Sequence, residues 1–456
     1  MQAPELWLNG RQLTGYASDR APVLAGVEIS WGTDSPDEQP DPASMSFSVL
    51  FRDGMHDVPD LTNGGAVELV QDATATTERV TVFAGTIRSM RAEPDFELGE
   101  QALRVNATCM DYMADLEETF TSAFLMKMNP TSMAGKFAQK GWSIIIPDRE
   151  AGYPEEEMTY DSIKLLTLLD RYMYPFKGQR CDASYRNSSG NLVKRVKVVS
   201  RATYANKDSL AAYNPVGPWV RSIKSANSYY SYEPGNPFAP LLIIPAENML
   251  ANPTWAQDSE DVITAVHLKH YYRGVDENGN VSTGTKEYDY TRPDAITQYG
   301  TRKIEIESDV QDLTEGKTKL ASEASKWFYT TGAKWKMSAL DVYDTDAMEP
   351  VNLVTMLDQT KRTSTFVVVN GILRNRPDPG LTTFRAYVDN GKYVWNGEKW
   401  EMTLGFARPI NEAADSTSLD YSWSMIGTSA IPGIRDATYE TVGELTYADF
   451  TTIRRP

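Results

Sequence analysis

Cysteine and histidine are scarce in this chain. Its two cysteines, Cys109 and Cys181, stand far apart in a sequence of 456 residues. That spacing excludes a disulfide framework and a paired-cysteine metal motif, and both are read as reduced, buried thiols. The 3 histidines are His56, His267 and His270, so any imidazole chemistry would have to use one of them. His267-Leu-Lys-His270 has the outline of a ligand pair, but Val262–Tyr272 reads as a strand. Residues three apart on a strand point to opposite faces, so the reading is two solvent-facing or edge histidines. No G-x-S-x-G elbow, no P-loop and no G-x-G-x-x-G after a strand occurs. Apolar runs stop short of the roughly 18 residues that span a bilayer. The opening, Met1 to Gly10, has no basic segment leading into an apolar one. No signal peptide is therefore expected, and the chain is expected to be made in a cytoplasm and to stay soluble.

Positive charge is also in short supply. Against 62 Asp and Glu stand 45 Lys and Arg, a net charge of −17. An acidic surface repels phosphate, which speaks against a protein that grips duplex DNA. It suits a solvated surface, or the wall of a channel that must not hold nucleic acid. Hydrophobic residues at 41% and charged residues at 23% are ordinary values, which excludes a wholly disordered chain and a coiled-coil rod. The length fits about three domains.

What is present is mostly strand and turn. Leu6-Trp-Leu8, Asn9-Gly10 and Arg11-Gln-Leu13 predict a hairpin with a type I′ turn, because Asn-Gly tolerates the positive φ this turn needs. Gly26–Trp31 and Ala43–Phe51 alternate apolar with polar, the period of half-buried strands. Strands are also expected at Val67–Gln71, Arg79–Met90 and Ala102–Cys109, and a helix over Met110–Phe120. Past residue 121 the pattern changes. A short helix is expected over Thr131–Lys140 before Gly141, and a longer one over Thr159–Met173, capped by Thr159 or Asp161 with Ile163, Leu166, Leu169 and Tyr172 on one face. A hairpin, Asp182–Tyr185 and Leu192–Val199, completes an α+β unit, and residues 205–238 read as a long exposed loop. Strands resume at Asp261–Tyr272, Lys286–Tyr290 and Lys303–Glu307. A helix is expected over Asp309–Phe328, then β structure over Trp335–Ala407, with a second type I′ hairpin at Asn396-Gly397.

Candidate sites are weak. Asp276 to Glu287 has calcium-loop spacing, but Val281 stands where glycine must sit and both flanks read as strands, so a hairpin turn is expected. Asp341-Val-Tyr-Asp344-Thr-Asp346 reads as a charged loop, and Glu155-Glu-Glu157 as a solvated run. Trp219, Tyr229, Tyr230, Tyr232, Tyr421 and Trp423 place aromatics in loops, where they serve protein interfaces or sugar stacking. No catalytic, cofactor-binding or metal-binding residue is expected, and no enzyme activity.

One pattern recurs. Val67–Val70, Phe83-Ala-Gly85-Thr-Ile-Arg88, Glu93-Pro-Asp95 and Leu103–Val105 return in weaker form as Val351–Val354, Val368-Val-Asn-Gly371-Ile-Leu-Arg374, Arg376-Pro-Asp378 and Phe384–Ala386. It is read as a duplication, with convergence of turn patterns as the competing reading. The predicted fold is mainly β: two tube-like β-barrels at 1–120 and 246–408, an inserted α+β domain at 121–245, and a C-terminal arm at 409–456.

The order of these parts resembles the tail hub, or minor tail, proteins of long-tailed phages (the baseplate hub family), in particular those of actinobacteriophages. The resemblance covers about residues 1–408. It rests on Phe83–Ile87 leading to Leu103–Cys109 and the helix at Asp111, on Val262–Tyr272 followed by Arg302–Ile306 and the helix to Phe328, and on the β segment to Trp400-Glu-Met-Thr-Leu404. It implies a homotrimeric ring at the distal end of the tail tube, adapting a six-fold tube to a three-fold tip. The implied partners are further copies of itself, the distal tail or tail tube protein, the tape measure protein, other tail-tip proteins, and DNA that passes without specific binding. No cofactor is implied, and the implied location is the virion tail tip. The other readings are a carbohydrate-binding or cell-surface β protein and, behind it, a two-carboxylate hydrolase. The arm at 409–456 combines aromatics with small polar residues and promises no core of its own, so limited proteolysis of the isolated subunit is expected to trim it first. Strong protection of the arm in a proven monomer would contradict that expectation.

Overall fold

A computed structural model describes residues 3–15, 21–33, 38–52, 61–72, 79–97, 99–122, 124–127, 129–146, 157–160, 162–173, 179–187, 189–199, 241–245, 254–257, 262–275, 281–308, 336–342, 365–370, 377 and 384–406. The fold is mainly β. The amino-terminal strands are β1 (Glu5–Leu8), β2 (Arg11–Gln12), β3 (Val23–Gly32), β4 (Asp41–Phe51), β5 (Ala66–Asp72), β6 (Arg79–Pro94) and β7 (Leu103–Asp111). The next stretch holds α1 (Met113–Glu118), β8 (Phe124–Lys127), α2 (Pro130–Ala138), β9 (Ser143–Ile145), β10 (Glu157–Tyr160), α3 (Leu165–Met173), β11 (Gln179–Asp182), β12 (Tyr185–Arg186), β13 (Leu192–Val193) and β14 (Arg195–Val199). The remainder holds β15 (Leu241–Pro245), β16 (Thr254–Ala256), β17 (Ala265–Val275), β18 (Val281–Thr291), α4 (Pro293–Tyr299), β19 (Lys303–Ser308), β20 (Lys336–Val342), β21 (Thr365–Asn370), β22 (Phe384–Val388), β23 (Asn390–Trp395) and β24 (Trp400–Gly405).

One 11-stranded sheet organises the molecule, in the order β16-β20-β24-β23-β3-β4-β7-β6-β5-β1-β2. It begins with local turn chemistry. Asn9 (φ 45°) and Gly10 (φ 80°) both take left-handed φ, and Leu8 pairs with Arg11, as a two-residue type I′ turn requires. The Asn9 Oδ1 then accepts from the Ala66 amide at 2.8 Å and pins this hairpin to β5. Along β4, Met45, Phe47, Val49 and Phe51 are buried while Ser46 and Ser48 lie on the other face, the alternation a one-sided strand demands.

The sheet crosses the two segments expected as separate barrels. β23 pairs with β3 from Trp395↔Val27 to Asn390↔Gly32, so residues near 390 are built into the amino-terminal sheet. The sheet then curls until β24 stands opposite β5. There the buried Trp400 indole N–H donates to Gln71 Oε1 at 3.0 Å, across 329 residues of chain. Trp31, Tyr393, Trp395 and Trp400 pack inside at tilted angles, with ring centroids 4.3 Å apart for Trp31–Tyr393 and 5.7 Å for Trp395–Trp400. Gly391 permits this, because a Cβ there would sit inside the Trp31 indole.

The inserted unit packs on this sheet through a shared core. Leu116, Met133, Phe137, Leu165, Leu169, Val196 and Val198 join Ala84 and Tyr112 in one buried cluster. Several expectations are corrected. The helix expected over Met110–Phe120 is confined to α1, because Met110 and Asp111 extend β7 against Ser44 and Gly85. The helix expected from Thr159 starts at Leu165, because Thr159 pairs with Leu125 in the β8–β10 ladder. Asn396-Gly397 is not a type I′ turn: Trp395 pairs with Trp400, leaving four residues in the loop. A two-residue turn would set Glu398 opposite Trp395 inside the curled sheet. The recurrence is not a residue-by-residue repeat either, since Arg104 pairs with Glu93 whereas Arg385 pairs with Val368. The loop at 205–238, the helix at 309–328, the segment Val351–Val354 and the arm at 409–456 lie outside the described residues.

Gly391→Ala is expected to displace Trp31 and destabilise the chain by on the order of 1–3 kcal/mol. Urea unfolding followed by tryptophan fluorescence measures this. An unchanged midpoint would show that the Trp31 contact does not hold β23 to β3.

Candidate functional site

Two places on the sheet combine shape with polar chemistry. The first is the solvent face of β23, β3, β4, β7 and β6. It is hollowed into a groove of about 670 Å³, lined by Ser46, Ser48, Ser89, Asn106 and Thr108, with Glu28 and Arg91 at its sides. Register makes this lining. Ser46 stands opposite Thr108 and Ser48 opposite Asn106, while the intervening Phe47–Ala107 pair points into the core. Charges on this side of the sheet are matched: Lys392 Nζ lies 2.8 Å from Glu28, Arg91 Nη2 3.6 Å from Glu93, and Arg104 Nη2 2.8 Å from Asp95. These exposed pairs contribute little stability, but each cation has a carboxylate beside it.

The second place is the joint between the sheet and the inserted unit. A cleft of about 40 Å³, enough for about two or three waters, is lined by Trp31, Ala43, Phe83, Asp111, Arg180 and Asp182 among others. Asp111 is buried at the end of β7. Its two oxygens accept from the Ala43 and Met113 amides at 2.9 Å each, tying β4 to the start of α1. Burial pushes its carboxyl well above the usual carboxylate range, and the charge of Asp182 pushes the same way. The Ala43, Met113 and Ala114 amides pull against that shift. Asp182 accepts from the Ser184 amide at 3.2 Å and from its hydroxyl at 2.7 Å. Arg180 donates its guanidinium to Asp170 and its backbone amide to Gln39 Oε1 at 3.2 Å.

The residues singled out by sequence pattern that are described fall elsewhere, and the structure does not bring those together; His56, Glu155, Glu156 and 276–280 lie outside the described residues. His267 lies on β17, the middle strand of the β18-β17-β19 sheet, and is buried, not solvent-facing or at an edge. Its Nδ1 is 2.8 Å from Asp289 and its Nε2 3.7 Å from Glu287. The hydrogen bond with His267 holds the Asp289 carboxyl below its ordinary range, and Lys303 at 3.5 Å adds to this. His270 pairs with Lys286 and Ser308 three positions along the same strand, an odd spacing that sets the two histidine positions on opposite faces. Val281, Ser282 and Glu287 of the calcium-loop pattern lie in β18, where an extended chain cannot wrap a cation. Asp341 pairs with Thr403 in β20, whereas Asp344, Asp346 and the aromatics at 219, 229, 230, 232, 421 and 423 lie outside the described residues. Among the described residues no group of three or more His, Cys, Asp and Glu could hold a metal, and no helix is long and apolar enough to cross a membrane. Both cysteines are buried, and burial pushes the Cys109 thiol up to about 12, which keeps it from acting as a nucleophile at neutral pH. Sequence reasoning missed Asp111 and Asp182 because nothing local links positions 71 residues apart. It also missed the groove, whose curvature leaves no mark on the alternation of Ala43–Phe51.

No family model matches this sequence, and no curated protein matches it. The solved structures to which this chain is similar in fold include the following three. A 43 kDa tail protein of prophage MuSo2 from Shewanella oneidensis is similar with a TM-score of 0.49 and 13% identity, over 90% of this chain and 99% of that one. A tail protein from Neisseria meningitidis MC58 is similar at 0.44 and 12%, over 89% and 95%. An E. coli component of the type VI secretion system, described as structurally similar to the T4 tail proteins gp27 and gp5, is similar at 0.37 and 8%, over 90% and 77%.

A carboxyl whose folded pKa is raised lends stability that is present below its unfolded pKa and is lost as pH rises through the folded value. Ionising Asp111 beside Asp182 therefore costs stability as pH rises through the raised folded value. Asp182→Asn keeps the oxygen that Ser184 binds and removes the facing charge. The variant is expected to gain stability over the wild type at alkaline pH and to lose that gain at acid pH, read from urea midpoints. Equal shifts at both pH values would rule out the Asp111–Asp182 repulsion.

Proposed function

We propose that this chain is a structural hub of a phage tail tip: a homotrimeric ring at the distal end of the tail tube, in the virion. The observation behind this reading is the hollowed polar face of β23, β3, β4, β7 and β6 on a curled sheet. A channel wall that lets a long polymer slide needs small, hydrated side chains and a carboxylate beside each exposed cation, so that no cation grips phosphate alone. Ser46, Ser48, Asn106 and Thr108 meet the first need. The pairing of Lys392 with Glu28 and of Arg91 with Glu93 meets the second. This refines the sequence-based expectation of a predominantly acidic wall into one whose charges are matched locally.

In this reading the segments 1–120 and 246–408 each supply one tube-like barrel, so three copies present six equivalents to a six-fold tube. The β3–β23 pairing sets strands of the second segment in the sheet of the first, so in this reading the two barrels share that sheet. The unit at 121–245 stands on the outside and the arm at 409–456 reaches neighbours. The tail tube protein, the tape measure protein and other tail-tip proteins are the contacts, DNA passes without specific binding, and the role is structural, without chemistry. Sugar binding in the same groove finds no support, because Trp395, its one lining indole, is buried.

Electron cryo-microscopy of particles carrying this chain tests the proposal. A three-fold ring at the tube's end, with Ser46, Ser48, Asn106 and Thr108 on the lumen, is the expected result. The same residues on the outer surface, or no ring, would overturn it.

A further inference from the structure

Two exposed aromatics stand at opposite ends of β7 with opposite charge around them. Phe96, at the tip of the β6–β7 hairpin, is 78% exposed. Its loop is braced. Asp95 is buried and accepts from Arg104 Nε at 3.1 Å and Nη2 at 2.8 Å, while its own amide donates to the Ala102 carbonyl at 2.9 Å. The Ala102 amide closes the loop on the Gly99 carbonyl at 3.2 Å. Phe96 is thus held out from a fixed base, with Glu97 and Glu100 exposed beside it.

At the other end Phe120, just past α1, is 50% exposed, and Lys164 Nζ lies 5.9 Å from its ring centroid. Phe124, half-buried nearby in sequence, has Lys136 Nζ 4.1 Å above its ring. Acidic groups precede Phe120 on α1, but most are already engaged. Asp115 is held by Lys194 at 2.9 Å and Arg88 at 3.4 Å, and Glu118 by Arg88 at 3.7 Å. Glu117 is exposed. The surface is therefore aromatic with cations over its rings.

We infer that the Phe96 loop of one copy docks on the Phe120–Phe124 surface of a second copy. The occupant follows from charge complementarity, Glu97 and Glu100 against Lys136 and Lys164, and from reach. The nine residues of β7 hold the two sites about 30 Å apart at the rise of a strand, so a copy cannot satisfy its own. The contact joins two different surfaces and is head-to-tail, the kind that closes into a ring when its rotation permits. Only the word ring rests on the proposed function; the contact itself does not.

Sedimentation velocity on the full chain tests it, with near-UV circular dichroism to confirm folding. Both side chains are exposed, so Phe96→Ser and Phe120→Ser should fold. Each is expected to weaken self-association about tenfold or more, as loss of an aromatic anchor does. Mixing the two variants should give one-to-one pairs and nothing larger, because only one intact contact can form between them. Glu97→Lys with Glu100→Lys should fail to self-associate and should pair with Lys136→Glu, Lys164→Glu chains. A monomeric wild type, unchanged association of both Phe variants, or growth of the mixed Phe96→Ser and Phe120→Ser variants beyond pairs would overturn the contact. Association that persists in both Phe variants would leave the ring proposal standing on other surfaces, so the two ideas fail separately.

Discussion

A buried indole N–H is costly to leave without an acceptor, and Trp400 finds one in Gln71, whereas the Trp31 and Trp395 indoles of the same cluster have none. That hydrogen bond can form only if the sheet curls far enough to bring β24 over β5. Leaving either partner unpaired in the core would cost about 1–3 kcal/mol. The aromatic cluster of Trp31, Tyr393, Trp395 and Trp400 fills the space the curl encloses, and Gly391 lets Trp31 lie flat against β23. The alternation that turns Phe47 and Ala107 into this core turns Ser46, Ser48, Asn106 and Thr108 to the solvent face. The polar groove of Ser46, Ser48, Asn106 and Thr108 thus belongs to the same geometry as the apolar core behind it.

The inserted unit is tied to this sheet by a different kind of contact. Tyr112 and Ala84 share its apolar core, but Asp111 fixes the angle at which β7 hands the chain to α1 by bonding Ala43 on one side and Met113 on the other. Holding a carboxylate there, with Asp182 facing it, is unfavourable when both are ionised. The stability of the joint therefore responds to pH, whereas the aromatic interior holds no carboxylate to titrate.

Local features were legible in the sequence and long-range ones were not. Asn9-Gly10 folds as its turn chemistry demands because nothing competes with it. Asn396-Gly397 is the same dipeptide and behaves differently, because the interior of the curled sheet requires Trp395 opposite Trp400. Thr159 has the make-up of a helix cap, yet a strand partner at Leu125 claims its backbone. The one-sided strands β3 and β4 were visible from alternation, but the β23 partner of β3 lies more than 300 residues away, and no period encodes which strands pair. The candidate sites share that fate. Small polar residues on β4 and β7 could be seen, but not that their face is hollow. His267 could be placed on a strand, but not that the strand is central.

Core, groove and curl all require the carboxyl-terminal hairpin β23–β24 to be a structural part of the amino-terminal sheet. Native-state hydrogen exchange measures this directly, because amides that open in one cooperative step share one opening free energy. The amides of β3, β4, β23 and β24 are predicted to exchange together, at the slowest rate in the chain. Early exchange of β23 and β24 while β3 and β4 stay protected would contradict this architecture.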